Sequence, residues 1–383
     1  MTDAVIVAYG RSAIARAGKG SLAHTHPVSF GAEVLTGVLD RVPRLDRADI
    51  DDVIVGCAIP ETTMGLNPAR NIVLRAGLPP AVSGQTVNRF CASGLQSIAI
   101  ASATIDAGMA EVVVAGGVEH MSSPVLSDDE RFKDPYLMAN TDAYIPMGVT
   151  AERVAQRYGI TREEMDAMAV DSHARAVAAR DGGRFADQIV PVTARAEDGS
   201  TSTFDVDEGM RPGTSMEGLA ALRTVFAEDG SVTAGTSSQR SDGAAFVVVM
   251  SCAKADAIGA TPIARVVGFA VAGVDPDVMG IGPIAAVPKV LARTGLGLDD
   301  MDVVELNEAF ASQSIAVMRE LGLDWSRVNH DGGALAMGHP LGATGAVLTC
   351  KALAELARTG GRRALVTMCI GGGMGAAGVL ELV

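Results

Sequence analysis

Apolar residues along this chain fall into two kinds of stretch: short unbroken runs, and longer stretches in which they return every third or fourth position. The runs Ala4–Ala8, Val53–Gly56 and Glu111–Gly116 predict short buried strands. Thr86–Asn88 predicts another, leading straight into Cys91. Between these runs, Ser29–Leu39 has helical spacing and Ser93–Ala107 predicts a long helix of small residues. Strands alternating with helices predict an α/β protein with a mostly buried sheet.

The C-terminal part repeats the pattern. Ile263–Ala270, Val303–Glu305, Arg363–Met368 and Ala377–Leu382 predict strands, and Pro288–Thr294, Glu308–Leu321 and Gly342–Ala357 predict helices. The strongest internal echo pairs Cys91-Ala92-Ser93-Gly94-Leu95 with His339-Pro340-Leu341-Gly342-Ala343. Each stretch opens a small-residue helix and precedes an apolar strand closed by glycines, at Ala115-Gly116-Gly117 and at Ile370-Gly371-Gly372. This reads as a duplication of roughly 120 residues per half. The stretch between, from His120 to Arg240, is richer in charge, Gly and Pro, with amphipathic helices predicted over Arg153–Tyr158 and Glu163–Arg180. The predicted units are an N-terminal half (1–119 plus 241–260), an inserted loop domain (120–240) and a C-terminal half (261–383).

Composition narrows the function. With 48% hydrophobic residues in 383, the chain has ample material for a large core, and 4% aromatics means that core is aliphatic. A net charge of −14 argues against nucleic acid, though a few placed arginines still suit a small phosphate ligand. The five cysteines, Cys57, Cys91, Cys252, Cys350 and Cys369, form no CxxC pair or zinc spacing, which predicts a reduced, cytoplasmic setting and no metal. The stretch Met1-Thr2-Asp3-Ala4 has no secretion signal, and no apolar run approaches membrane-spanning length.

Four junctions carry reactive residue types. Cys91 stands at the start of a predicted helix, where unpaired N–H groups and the helix dipole are expected to lower a thiol pKa. His339 sits before another helix start, inside a glycine-rich stretch, where an imidazole suits a base or an oxyanion donor. Cys369 ends an apolar strand ahead of Gly371-Gly372-Gly373, whose N–H groups suit an anion. Asn307, in Glu305-Leu306-Asn307-Glu308, either caps the next helix or orients a water or oxyanion. His330 is read as a surface or supporting residue, and His24, His26, His120 and His173 as structural.

Taken together, Asn88–Gln96, Glu305–Gln313, Gly332–Gly345 and Met368–Gly375 resemble the thiolase family in order and spacing, and the resemblance spans nearly the whole chain. It implies a five-layered α/β/α/β/α core of two similar halves with an inserted loop domain. It implies Cys91 as acyl-accepting nucleophile, His339 as its base and an oxyanion donor, and Cys369 as second acid/base. Asn307 would hold a water in one oxyanion hole, and the N–H groups of Cys91 and Gly371 would form the other. Coenzyme A would be a substrate, with no cofactor; Arg211 would approach its nucleotide and Phe226 its adenine. Ala234, Ser238, Met147, Met279, Ala309 and Phe310 would line the pantetheine tunnel. A homodimer or homotetramer is also implied.

By the same resemblance, Pro146, Arg211-Pro212-Gly213-Thr214 with Gly218, and Glu305-Leu306-Asn307 lean toward degradative 3-ketoacyl-CoA thiolysis over the biosynthetic acetyl-CoA acetyltransferase type. A ketoacyl synthase lacks the second cysteine before a glycine turn, and a silent acyl-CoA-binding relative would have lost one of the four reactive residues.

Overall fold

The computed structural model describes residues 3–126 and 129–383. Met1 and Thr2 of the N-terminal stretch considered above lie outside them. The front half runs β1 (Ala4–Arg11), α1 (Pro27–Leu39), β2 (Asp52–Gly56), α2 (Pro68–Arg75), β3 (Ser83–Val87), α3 (Ser93–Asp106) and β4 (Val112–His120). An inserted segment carries α4 (Met147–Arg157) and α5 (Arg162–Asp181), after which β5 (Ser241–Ser251) completes the first sheet. The back half runs β6 (Ala264–Gly273), α6 (Gly282–Thr294), β7 (Val303–Leu306), α7 (Ala311–Leu321), α8 (Leu341–Thr359), β8 (Arg363–Ile370) and β9 (Met374–Leu382).

The two halves share one topology. The front order is β1-β5-β4-β2-β3, with β2 parallel to β3 and β4, and β5 antiparallel to β4 and β1. The back order is β6-β9-β8-β7, extended by a parallel bridge from Val304 to Val328, with the same pattern of parallel and antiparallel neighbours. One backbone pair, Ile6 with Ala264, joins the two sheets.

Strand alternation sorts the side chains into layers. Val53 and Val55 of β2, with Val112 and Val114 of β4, pack outward against Phe30, Val34 and Ile72 of α1 and α2. Ile54, Val113 and Ala115 point the other way, onto Leu95 and Ile98 of α3 and Ala346 and Leu353 of α8. Ala364, Val366 and Met368 of β8 close over those same two helices from the other side. Leu365 of β8 and Val379 of β9 face outward onto Val287 and Val290 of α6. The stack is therefore helix, sheet, helix pair, sheet, helix: five layers.

The inner helices touch backbone to backbone. A Cβ on Gly94 would lie 2.8 Å from the Gly342 carbonyl and 2.9 Å from the Ala346 nitrogen, and one on Gly345 would strike the backbone of Leu95. Glycine alone permits that approach. It brings the N-terminal ends of α3 and α8 together at the centre of the molecule.

Most predicted elements are present with longer bounds, because strand ends with glycine or polar residues still make ladder bonds. The predicted helix over Glu308–Leu321 is shorter: α7 starts at Ala311, after Phe310 as N-cap, so Asn307 does not cap it. The inserted segment packs through Ala151, Val154, Met165 and Met168 onto Ala309, Phe310, Leu335 and Cys369, forming a core of its own.

Candidate active site

Cys91 lies in a single 3-10 turn, Phe90–Ala92, that runs into α3. Phe90 has φ +43°, a left-handed conformation that costs a non-glycine residue energy. It is held by the Asn88 side chain, which accepts its N–H at 2.8 Å, and by the Ser93 hydroxyl, which donates to its carbonyl at 2.6 Å. The turn sets the Cys91 thiol beside Gly371, just past the end of β8. There the N–H groups of Gly371 and of Cys91 itself point at the sulfur.

The expectation of a depressed thiol pKa is overturned. Burial pushes Cys91 up to about 11, because desolvating a thiolate outweighs the two N–H groups that favour it. Cys369, fully buried on β8 and close enough to Cys91 to feel its charge, is also pushed well above the ordinary thiol value, again by burial first.

His339 occupies the equivalent place before α8. Its backbone N–H bonds the Gln239 carbonyl at 3.0 Å and the Ser241 hydroxyl at 3.1 Å. Its Nδ1 lies 2.6 Å from the Thr344 hydroxyl one turn along the helix. Burial lowers its pKa to about 4, so the imidazole is neutral near pH 7. With Nδ1–H donating to Thr344, Nε2 keeps its lone pair, and Asn307 Nδ2 stands 3.4 Å from it.

Asn307 is carried by the end of β7 and by a buried network behind it. Its N–H bonds the Thr367 carbonyl at 3.0 Å. Asn329 brackets the preceding residue, accepting from Leu306 N–H at 2.9 Å and donating to its carbonyl at 2.8 Å. The Glu308 carboxyl accepts from Asn329 at 2.8 Å, from Ser172 at 2.6 Å and from Leu335 N–H at 3.2 Å. The residue beside Asn307 is thus a buried anchor that fixes the glycine-rich loop to the inserted segment.

The sequence reading missed Glu119 and Thr344. Glu119, next to last in β4, accepts N–H bonds from Ala58 at 2.8 Å, Ile59 at 3.2 Å and Gly342 at 2.7 Å, and is pushed up to about 7 by burial. It clamps the end of β2 to the start of α8. A lone carboxylate closing an otherwise apolar strand was the available signal. Thr344, one turn after His339, had none beyond its spacing.

The residues assigned to coenzyme A fall into two sets. Met147, Met279, Ala309, Phe310 and Phe226 share one apolar cluster with Cys369. Met147 Sδ lies 3.7 Å from where a Gly371 Cβ would stand, and Phe226 meets Phe310 edge-on with centroids 6.1 Å apart. Ser238 donates its N–H to the Ala309 carbonyl at 2.9 Å, on the same wall. Ala234 and Arg211 are exposed, outside that cluster; the Arg211 N–H bonds His173 Nδ1 at 3.1 Å.

Comparisons with known proteins place the whole chain in one family. The thiolase N-terminal domain family matches residues 4–253, and the thiolase C-terminal domain family matches residues 260–382. A 3-ketoacyl-CoA thiolase of Bacillus subtilis is 49% identical over the full length of both chains. An acetyl-CoA acetyltransferase of Pseudomonas aeruginosa is 44% identical over 98% of each chain. The crystal structure of the Bacillus anthracis acetyl-CoA acetyltransferase superimposes with a TM-score of 0.93 at 42% identity, covering 100% of this chain and 99% of that one. The chain belongs to the thiolase family of acyltransferases.

Proposed function

We propose that this enzyme cleaves 3-ketoacyl-CoA with CoA, reversibly, to acetyl-CoA and a shortened acyl-CoA, through a thioester on Cys91. Neutral His339 takes the Cys91 proton at Nε2 as the sulfur attacks the keto carbon. The developing oxyanion meets the N–H groups of Cys91 and Gly371. The bond between the α-carbon and that carbon then breaks, and the enolate of acetyl-CoA forms beside His339 and the water-holding amide of Asn307. Cys369 protonates the α-carbon. Its thiolate next accepts the proton of an incoming CoA thiol, whose sulfur takes the acyl group and frees Cys91. The observation that carries this reading is the pair of N–H groups, one from each half, aimed at a single sulfur.

The Met147, Met279, Ala309, Phe310 and Ser238 wall, with Ala234 at its edge, is assigned to pantetheine, Phe226 to adenine and exposed Arg211 to the nucleotide phosphates. The degradative direction is favoured by the Arg211–Thr214 stretch and by the higher identity to a relative named a 3-ketoacyl-CoA thiolase. β3, a half-exposed edge strand, supports a homo-oligomer, either dimer or tetramer. Five free cysteines, with no helix among the described residues long and apolar enough to cross a membrane, support a cytoplasmic enzyme of fatty-acid β-oxidation.

The test is a thiolysis assay against 3-ketoacyl-CoA thioesters of graded length, with mass spectrometry of the Cys91 peptide. Turnover of longer chains with an acyl adduct on Cys91 is expected. Activity confined to acetoacetyl-CoA would favour the biosynthetic reading.

A further inference from the structure

Asn307 has one polar atom that its protein neighbours do not explain. Nδ2 stands by His339, but Oδ1 is fully buried and has no hydrogen-bond partner in the protein. A buried carbonyl in that state is costly, and an Asn amide has a second orientation, rotated by half a turn, available to it. In that orientation Oδ1 would face the His339 lone pair, and the donor that holds the water in the enolate hole would be lost.

Asn307 lines a small cavity behind the site, together with Lys351, Thr344, Ile14, Val347 and Leu348. Every residue around it is buried. Its volume is about 10 Å³, the threshold for a single water. Lys351, only 2% exposed, donates to Glu305 Oε2 at 2.8 Å and to the Gly332 carbonyl at 2.6 Å, which leaves one of its ammonium protons unassigned. The Thr344 hydroxyl accepts from His339 Nδ1–H, which leaves its own proton to donate.

We propose that this cavity holds one ordered water that accepts from Lys351 and Thr344 and donates to Asn307 Oδ1. Lys351 is thereby a positioning residue: it selects the amide orientation that keeps Nδ2 toward the reacting atoms, and it never touches substrate. Three polar partners around one water fit what buried waters make. The inference rests on the reading of Asn307 as a donor in the enolate hole.

Two experiments decide it. A crystal structure of the unmodified enzyme, at a resolution that shows ordered waters, is expected to place one within about 3.2 Å of both Asn307 Oδ1 and Lys351 Nζ. A cavity without that water overturns the proposal, whatever the variants do. The second experiment compares Glu305→Gln/Lys351→Met, which removes both charges of the buried pair together, with Asn307→Ala and with the triple variant. The double variant is expected to lose about tenfold in kcat with KM for CoA unchanged, and the loss is expected to vanish in the Asn307→Ala background. Unchanged kcat, or a loss that persists without Asn307, overturns the role of Lys351. If Asn307→Ala alone turned over normally, the assignment of Asn307 would fail first, a different result from either.

Discussion

The starts of α3 and α8 occupy equivalent places in the two halves, yet they are built differently. Both reactive residues stand two positions ahead of a helix, and each follows a residue with positive φ: Phe90 at +43° before Cys91, Gly338 at +105° before His339. In the back half the turn is made by glycine at no strain, the imidazole is fixed by Thr344, and the His339 backbone N–H is held by Ser241. In the front half a phenylalanine takes the left-handed position, held by Asn88 and Ser93, and the sulfur is met by the backbone N–H groups of Gly371 and Cys91. Duplication therefore supplied two helix ends at one point. Divergence left a buried neutral imidazole at one and a half-buried thiol at the other.

The largest effect that would break this comparison is at the nucleophile. Cys91→Ser is expected to lower kcat for thiolysis by roughly 10³-fold or more and to abolish the acyl adduct seen by mass spectrometry. Normal turnover would remove the front helix start from the chemistry. Next is the approach that joins the two ends. Gly94→Val is expected to destabilise the fold by about 3 kcal/mol, since its Cβ meets backbone on α8 that cannot move alone. An unchanged urea midpoint would mean the helices are not in contact there.

A smaller loss tests the back half. Thr344→Val removes the acceptor for His339 Nδ1–H and is expected to reduce kcat roughly tenfold while leaving KM near its starting value. Equal loss in both parameters would point to substrate binding instead.

The mildest test changes only pH. Because Cys91 is pushed up to about 11 and His339 down to about 4, the resting pair is thiol and neutral imidazole, not an ion pair. Thiolate forms as pH rises toward the raised pKa, so iodoacetamide labelling of Cys91 is expected to climb steadily above pH 8. A plateau already reached by pH 6 would show a preformed ion pair and restore the helix-dipole expectation.

Part of this was readable from residue order. Apolar runs marked the strands because both sheets are covered on both faces. The Cys91 and His339 stretches revealed the duplication because each must keep small residues where the helices meet. Asn307 was open to two interpretations, cap or site, until the start of α7 at Ala311 removed the first. Glu119, Lys351 and Glu305 were given no structural or catalytic role, because what a buried charge does depends on partners far away in the chain: Gly342 for the first, each other for the second and third.

By itself, then, the order of residues determined the layered α/β architecture, the two-fold repeat and the residue types needed for acyl transfer, since these follow from local periodicity and from motifs a few residues long. Only the folded structure decided the charge state of the site. The pKa of Cys91 reflects a contest between desolvation and two N–H groups, one of which comes from 280 positions further along the chain. Burial is a property of the whole packed molecule, and no stretch of sequence contains it.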